Sequence, residues 1–340
     1  MKAKTIIIRL LVGLCVAAAV VGGAHAYRLY YDRKVPNFNG RTELYVYPGM
    51  DPQAVRDSIL ATGKVKKPAS LQREFRELES LQAGHYLIDS TCTSIYVTRM
   101  LHKGWQTPVH LTLSGSIRTP AALARKIGIQ MLADSAAVAS FATSADSIGT
   151  DPSLLFTRII PDTYQMLWTT PVRDIFARLF KERDAWWTPE RVAAAKAQGL
   201  TPEEVSTLAS IVDGETRYVP EQPTIAGVYL NRLRMGMRLQ ADPTIAFIFN
   251  YEPRRILRWM LSAESPYNTY QNQGLPPGPI SCPPKSCLEA VLHPESHSYI
   301  YFCADPSFNG SHRFATTYPE HLLNARAFQK ALSERQRGGK

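Results

Sequence analysis

From Leu10 to Tyr27 the chain runs through residues 10–27 without Asp, Glu, Lys or Arg, and this stretch restricts what the protein can become more than any other. Such a segment just crosses a bilayer core as an upright helix, and does so more easily if it extends back over Ile6–Ile8 with Arg9 snorkelling to the interface. Two readings stay open. Lys2 and Lys4 before the apolar run and Ala24-His25-Ala26 after it have the form of a secretory signal with its cleavage site. Tyr27, Tyr30 and Tyr31 suit an interfacial aromatic belt and favour a retained anchor, residues 1–34 with the span at about 6–27. Arg28, Arg33 and Lys34 place positive charge on the far side as well, so the orientation signal is weak. Leu14-Cys15 does not make a lipoprotein site, because leucine is large and little chain precedes it. Under either reading the rest of the chain is exported.

Export governs how the composition is read. Lys+Arg number 39 against 29 Asp+Glu, a formal charge of +10, which attracts polyanions. Outside the cytoplasm nucleic acid drops away as a partner, leaving anionic lipid and the acidic polymers of a cell wall. At 45% hydrophobic and 20% charged, the chain is not disordered, collagen-like or a coiled coil. Its 340 residues allow two domains. Five cysteines without a CxxC pair exclude a disulfide scaffold, a zinc ribbon and a thioredoxin site. A Cys282–Cys287 bridge is sterically restricted by Pro283-Pro284, and buried free thiols are the favoured state. His293 and His297, with Asp305 and His312 downstream, loosely imitate a metal site, but Pro294 intervenes and there is no HExxH. No metal or cofactor is expected.

Along the chain, Asp32 to Gly40 reads as a polar spacer. A small α+β unit follows. It comprises a strand at Leu44–Tyr47, a helix from Asp51-Pro52 with Val55, Ile59 and Leu60 on one side, and a second helix around Leu71–Leu81. Then come Gly84–Ile88, a short helix through Met100-Leu101, and the alternating strand Val109–Leu113. Thr119-Pro120 opens a helix to about Leu132. The Ala/Ser-rich stretch Ala133–Ser147 has little apolar bulk and reads as a linker or a loosely packed helix. The organisation expected is an anchor, an α+β domain with linker at 41–147, an α+β domain at 148–333, and a disordered, solvated tail at 334–340.

The second half holds a carboxylate in an unusual place. Thr201-Pro202-Glu203-Glu204 combines a cap, a proline at the first helical position and a glutamate three residues after the cap. At about 100° per residue, Val205, Leu208, Ile211 and Val212 share one arc, and Glu215 falls between Leu208 and Ile211 on it. A carboxyl directed into the packed side is desolvated, and its pKa rises until it holds a proton near neutral pH, as a general acid must. The bland alternative is a glutamate satisfied by a backbone amide or an arginine. Asp213 projects with Ser206 and Arg217 on the polar side and reads as a solvated i,i+4 pair with Arg217.

Three further segments carry amide, carboxylate and aromatic side chains: Asn231–Thr244, Ser265–Tyr270 and Gly274–Ile280. Rigid, aromatic, amide-bearing loops have the composition of a sugar groove, in which rings stack on aromatics and hydroxyls bond to amides. The candidate substrate-binding residues in them are Asn231, Gln240, Asp242, Tyr267, Asn268 and Tyr270.

The ordered motifs Leu208–Thr216, Ile225–Leu233, Gly236–Thr244, Ser265–Tyr270, Gly274–Ile280 and Tyr299–Phe302 closely resemble those of the endolytic murein transglycosylases with a YceG-like domain. With Pro161–Tyr164 and Gly310–Phe314, the resemblance covers about residues 40 to 330. It implies that Glu215 is the catalytic residue, and it adds His312, which follows Gly310 in one of its motifs, to the candidate substrate-binding residues, the alternative being an ordinary loop histidine. It also implies a LysM-like element around Gly84 to Leu101 and a single pass through the cytoplasmic (inner) membrane, N-terminus inside and catalytic domain outside. Two departures stand out: the preceding acid is Asp213 rather than Glu, and Leu322 follows His321 where asparagine is common, so no role is carried onto that segment.

The implied reaction cleaves the bond between N-acetylmuramic acid and N-acetylglucosamine within a peptidoglycan strand and leaves a 1,6-anhydro end. The leading idea is termination of nascent strands beside the membrane, with a peptidoglycan synthase as a candidate partner. Most glycosidases need two carboxyl groups. Here the 6-hydroxyl of the same sugar replaces water as an intramolecular nucleophile of high effective concentration, so one glutamate suffices. The rival reading is a membrane-anchored glycan-binding or scaffold protein without catalysis, against which Glu215 in an intact motif argues.

Overall fold

The computed structural model describes residues 2–338 other than Glu77, Pro253 and Arg254. Compactness divides the chain into two units, Met1–His110 with Gln165–Thr170, and Leu111–Tyr164 with Pro171–Lys340. That division falls well short of the boundary expected near residue 147.

The first unit begins with helix α1, Lys2–Lys34. Within Ile6–Lys34 an 18-residue window reaches a mean hydropathy of 2.4, and the stretch is long and apolar enough to cross a membrane. The helix does not end in a spacer. Tyr31 and Asp32 are buried, Asp32 bonds Arg73 at 2.8 and 3.0 Å and accepts from Ser70, and the ammonium of Lys67 lies 3.7 Å from the Tyr31 ring centre. Asn37 is fully buried, donating to Lys67 O and Ser94 Oγ and accepting from Lys67 N. The spacer expected at Asp32–Gly40 is therefore packed in part: Asp32, Asn37 and Phe38 are buried because the two polar groups found partners, while Arg33, Lys34, Asn39 and Gly40 stay exposed.

Strand β1 (Thr42–Val46), helices α2 (Pro52–Ala61) and α3 (Pro68–Arg76), strand β2 (Gly84–Ile88) and helix α4 (Ser94–Lys103) follow. β1 and β2 pair antiparallel with Leu44 opposite Tyr86. Val46, Val55, Ile59, Leu71, Phe75, Tyr86, Val97 and Leu101 form the core of this layer. Asp51 and Thr93 cap the two helices they precede, and Gly104 closes α4 at φ 69°, a conformation that suits glycine.

Strands β3 (Val109–Thr112) and β4 (Thr163–Met166) pair with each other. Between them in sequence lie α5 (Pro120–Gln130), α6 (Ser135–Ala142) and α7 (Ala145–Ile148). The Ala/Ser-rich stretch is thus two capped helices and no linker. Val138, Ala142 and Ile148 are buried, and Phe141 stacks on Phe176 at 4.6 Å. Low bulk is what lets it pack: a Cβ on Gly128 would lie 2.0 Å from Ser135 Oγ, so α5 and α6 approach closely because glycine and serine meet there.

Helices α8 (Val172–Trp186), α9 (Pro189–Ala197), α10 (Pro202–Glu215), α11 (Gln222–Arg234), α12 (Asp242–Ile248) and α13 (Lys285–Leu292) make the body of the second unit. α10 packs on α9, α11, α12 and α13, and its buried Leu208, Ile211 and Val212 each contribute about 1.5–3 kcal/mol. The hairpin of β5 (Tyr301–Ala304) and β6 (His312–Ala315) pairs Ala304 with His312. Helix α14 (Tyr318–Gly338) lies along it and runs through most of the expected tail. Phe308 joins this end, its ring 5.5 Å from Phe328 and under the Arg335 guanidinium at 4.8 Å. Gly339 and Lys340 lie outside the described residues. The architecture is α+β, with three separate two-stranded ribbons among the helices of the described residues.

Candidate active site

The site is built on the end of α10. Its start is the capping box read from sequence: Thr201 Oγ1 accepts from Glu204 N at 3.2 Å and Glu204 Oε2 from Thr201 N at 2.8 Å. Every residue from Val205 to Asp213 is buried. The side expected to face water instead meets the chain at residues 280–282. Its polar groups are small and satisfied locally. Ser206 and Thr207 donate to carbonyls one turn back, and Ser210 Oγ accepts from Ile280 N at 2.9 Å.

Asp213 corrects the sequence reading. The helix stops at Glu215 and Thr216 is already extended, so Arg217 is not one turn above Asp213 and the i,i+4 geometry fails. Arg217 turns its guanidinium to Ser116, and buried Asp213 has Ser281 Oγ at 3.5 Å. Burial raises its carboxyl above the usual range, and Arg217 and Arg118 temper the rise.

Glu215 reaches the other side of the helix end. At Gly214 a Cβ would stand 2.5 Å from Pro243 Cβ, so glycine lets the start of α12 close onto α10 and brings Asp242 into the same pocket as Glu215. This hollow of about 360 Å³ is lined by Glu215, Tyr229, Arg232, Gln240, Asp242, Tyr270 and His312, with Tyr301, Tyr318 and His321 from the hairpin and α14. Tyr229, fully buried, donates its hydroxyl proton to Glu215 Oε1 at 2.5 Å. Burial pushes the Glu215 carboxyl up to about 7; the Tyr229 hydrogen bond and the Arg232 charge work against that rise, and Asp242 adds to it.

The surroundings separate the two acids. Asp242 accepts from Tyr270 Oη at 2.6 Å. Arg232 is buried, with Nε on Ile300 O at 2.7 Å, Nη1 on Leu239 O at 2.5 Å and its guanidinium 5.5 Å from the Tyr301 ring centre. Among the described residues no carboxylate pairs with it. Gln240 takes a left-handed backbone, φ 50°, rare for a residue with a side chain and a mark of local strain. The pocket is equipped to present a protonated carboxyl to a polar ligand and to receive that ligand on aromatic and amide side chains. Tyr229→Phe should move the alkaline limit of Glu215-dependent activity to higher pH, because the lost hydrogen bond favoured the carboxylate. A pH profile with an unmoved limit would refute that role.

Of the eight residues singled out from sequence, Glu215, Gln240, Asp242, Tyr270 and His312 line one pocket. Asn231, Tyr267 and Asn268 do not. Asn231 Nδ2 donates to His297 O and Tyr299 O, tying down the segment before β5. Asn268 is fully buried and holds its own loop, donating to Leu261 O and Ala263 O and accepting from Tyr270 N. Tyr267 packs on Phe247 at 4.6 Å. The loop Gly274–Pro277 borders a different hollow of about 650 Å³, mainly apolar, whose Glu203 and Glu204 are engaged by Arg183 and the helix cap.

Sequence reasoning missed Tyr229, Arg232 and His321. Tyr229 and Arg232 stand one turn apart on α11, polar positions in an otherwise buried run, a spacing that was available. His321 stacks on Tyr301 at 5.2 Å, its buried Nδ1 lacks a partner, and burial with Arg232 holds its pKa down. His297 is held by Thr224 O and Tyr299 N, His293 lies beside Glu289, and no group of three or more His, Cys, Asp or Glu side chains placed to hold a metal ion is found among the described residues. Cys282 and Cys287 are buried free thiols.

Fold and site together define a two-unit α+β protein with an apolar N-terminal helix and a half-buried acid, Glu215, whose carboxyl is desolvated where it lines a polar, aromatic pocket. The model of the YceG-like family matches residues 44–327, and the chain belongs to that family. It is 35% identical over 152 residues to the endolytic murein transglycosylase of Bacillus subtilis strain 168, covering 45% of this chain and 41% of that protein. It is 25% identical over 361 residues to the endolytic murein transglycosylase of Streptococcus pneumoniae serotype 2, covering 94% of this chain and 64% of that one. The chain thus spans less than two thirds of either relative. A yceG-like protein of Listeria monocytogenes of known crystal structure superposes with a TM-score of 0.56 at 24% identity, over 84% of this chain and 99% of that one, a likeness of fold.

Proposed function

We propose that this protein is an endolytic lytic transglycosylase of peptidoglycan, with Glu215 as its acid. The observation that carries the reading is a carboxyl raised to about 7 by burial in a pocket built for a polar ligand. Glu215 protonates the glycosidic oxygen between N-acetylmuramic acid and N-acetylglucosamine, and the 6-hydroxyl of the muramic ring attacks C1 to close the 1,6-anhydro ring. The carboxylate so formed is one acceptor for the proton of that hydroxyl. Gln240, Asp242 and Tyr270 supply polar and aromatic contacts for the sugars, and no cofactor takes part.

The apolar stretch of α1 is read as a single-pass anchor in the cytoplasmic membrane with the N-terminus inside, so that both units work on the wall outside and meet anionic lipid at Arg28, Arg33 and Lys34. In the first unit, β2 and α4 cover the region read as LysM-like, and we assign it to holding the glycan. Cleavage beside the membrane makes nascent strands the natural substrate and a peptidoglycan synthase a natural neighbour. Digestion of purified glycan strands, followed by mass spectrometry, tests the reading: internal cuts with anhydro-muramic ends are expected, whereas retention of glycan without new ends would reduce the protein to a binder.

A further inference from the structure

Glu221 ends a 3-10 turn just before α11, and its carboxylate grips the first residue of β6 twice. Oε1 accepts the His312 backbone N–H at 3.0 Å, and Oε2 lies 2.9 Å from His312 Nδ1. Both side chains are 14% exposed. An ionised carboxylate only accepts, so this grip places the ring proton on Nδ1 and leaves Nε2 of the neutral imidazole as an acceptor. Phe302 packs edge-to-face on the ring at 5.4 Å. Nε2 has no hydrogen-bond partner among the described residues, and the ring lines the pocket that holds Glu215. An imidazole oriented by a carboxylate beside a reacting group is the arrangement of a general base.

We propose that His312 is a second catalytic residue of this site, its Nε2 taking the proton of the attacking 6-hydroxyl while Glu221 positions the ring. This rests on the transglycosylase reading above and reassigns one of its two proton transfers. The Glu215 proton goes to the glycosidic oxygen, the C1–O bond breaks with its electron pair on that oxygen, O6 bonds to C1, and the O6 proton moves to Nε2. The enzyme is left with a Glu215 carboxylate and a His312 imidazolium, opposite charges in one pocket. Return of that proton to Glu215 through solvent resets both.

The groups facing His312 decide how the test is read. Glu215, Asp242, Arg232, His321 and Cys303 share its pocket, together with the phenols of Tyr229, Tyr270, Tyr301 and Tyr318. The Arg313–Asp305 pair lies on the same hairpin. Burial raises the Cys303 thiol and the Tyr229 and Tyr270 phenols, and hydrogen bonds from Ser307 and then Arg313 hold Asp305 at about 2. His321 is the neighbour that a histidine limb must be separated from.

The experiment measures kcat and KM against pH on purified glycan for the full-length protein and for H312Q, E221Q and H321Q. The wild type is expected to lose rate on the acid side as well as the alkaline side, because a protonated imidazole cannot accept. H312Q should lose the acid limb and about 10²-fold or more of kcat, with KM nearly unchanged. E221Q keeps an acceptor for Nδ1–H but loosens the hold on the ring, so its kcat should fall several-fold with KM nearly unchanged. A merely structural role would lower the amount of active protein without lowering kcat per active molecule or removing a limb, and if H312Q fails to fold, E221Q decides. An H312Q enzyme with wild-type kcat and acid limb, a wild type without an acid limb, or an acid limb lost in H321Q instead overturns the proposal. A wild type that makes no anhydro ends at any pH removes the transglycosylase reading itself.

Discussion

Glu215→Gln should lower the release of anhydro-ended fragments by on the order of 10³–10⁴-fold, while the protein keeps its fold and its affinity for glycan. Glutamine has nearly the same shape, its carbonyl oxygen can still accept the Tyr229 hydroxyl, and it carries no charge, so the buried position tolerates it. It has no proton to give to a leaving oxygen. The wild-type rate should also fall by about tenfold per pH unit once pH rises through about 7, where Glu215 ionises. The sign follows from burial, which disfavours the carboxylate and keeps the acid loaded below that pH. Full activity in the glutamine variant would sink the assignment of Glu215.

The second large effect is on stability. Asn268→Ala should destabilise the second unit by about 3 kcal/mol or more, read as a lower denaturant midpoint. The substitution strips partners from Ala263 O and Tyr270 N, while Leu261 O keeps Gln271 Nε2, and each buried polar group left unsatisfied costs about 1–3 kcal/mol. An unchanged midpoint with a raised KM would show that Asn268 is a sugar contact after all. The same residue type, in the same motif, was read from sequence as a ligand group, and the fold spends it on shaping the loop that carries Tyr270.

That substitution of roles shows where sequence reasoning stopped. Local signals survived well: Thr201, Glu204 and Pro202 start α10 as expected, and the apolar arc through Leu208 and Ile211 carries Glu215 into a desolvated place. The strand at residue 44, the turn at Asp51-Pro52 and the helix after Thr119-Pro120 depend on alternation and caps within a few residues, which a sequence displays directly. Failures came where distant segments met. Asp213 reads as solvated because Ser206 and Arg217 share its side of the helix, yet segment 280–282, far along the chain, covers it. Asp32–Gly40 looked like a spacer until Arg73, Ser70 and Ser94 supplied partners. Arg232 has no local charge feature that sets it apart from Arg234 and Arg238, yet the carbonyls of Leu239 and Ile300 hold it inside.

By itself, then, the sequence determined the apolar N-terminal helix, the helix that bears Glu215 and the burial of that carboxyl, because spacing, caps and apolar periodicity act over one or two turns. Only the tertiary structure decided which polar residues face the pocket and which are consumed in holding it. Gln240, Asp242, Tyr270 and His312 meet Glu215 because α12 closes on Gly214 and the hairpin brings β6 to Glu221. Those approaches depend on which chain segments fill each other's unmet hydrogen bonds, a property of pairs distant in sequence that no single stretch contains.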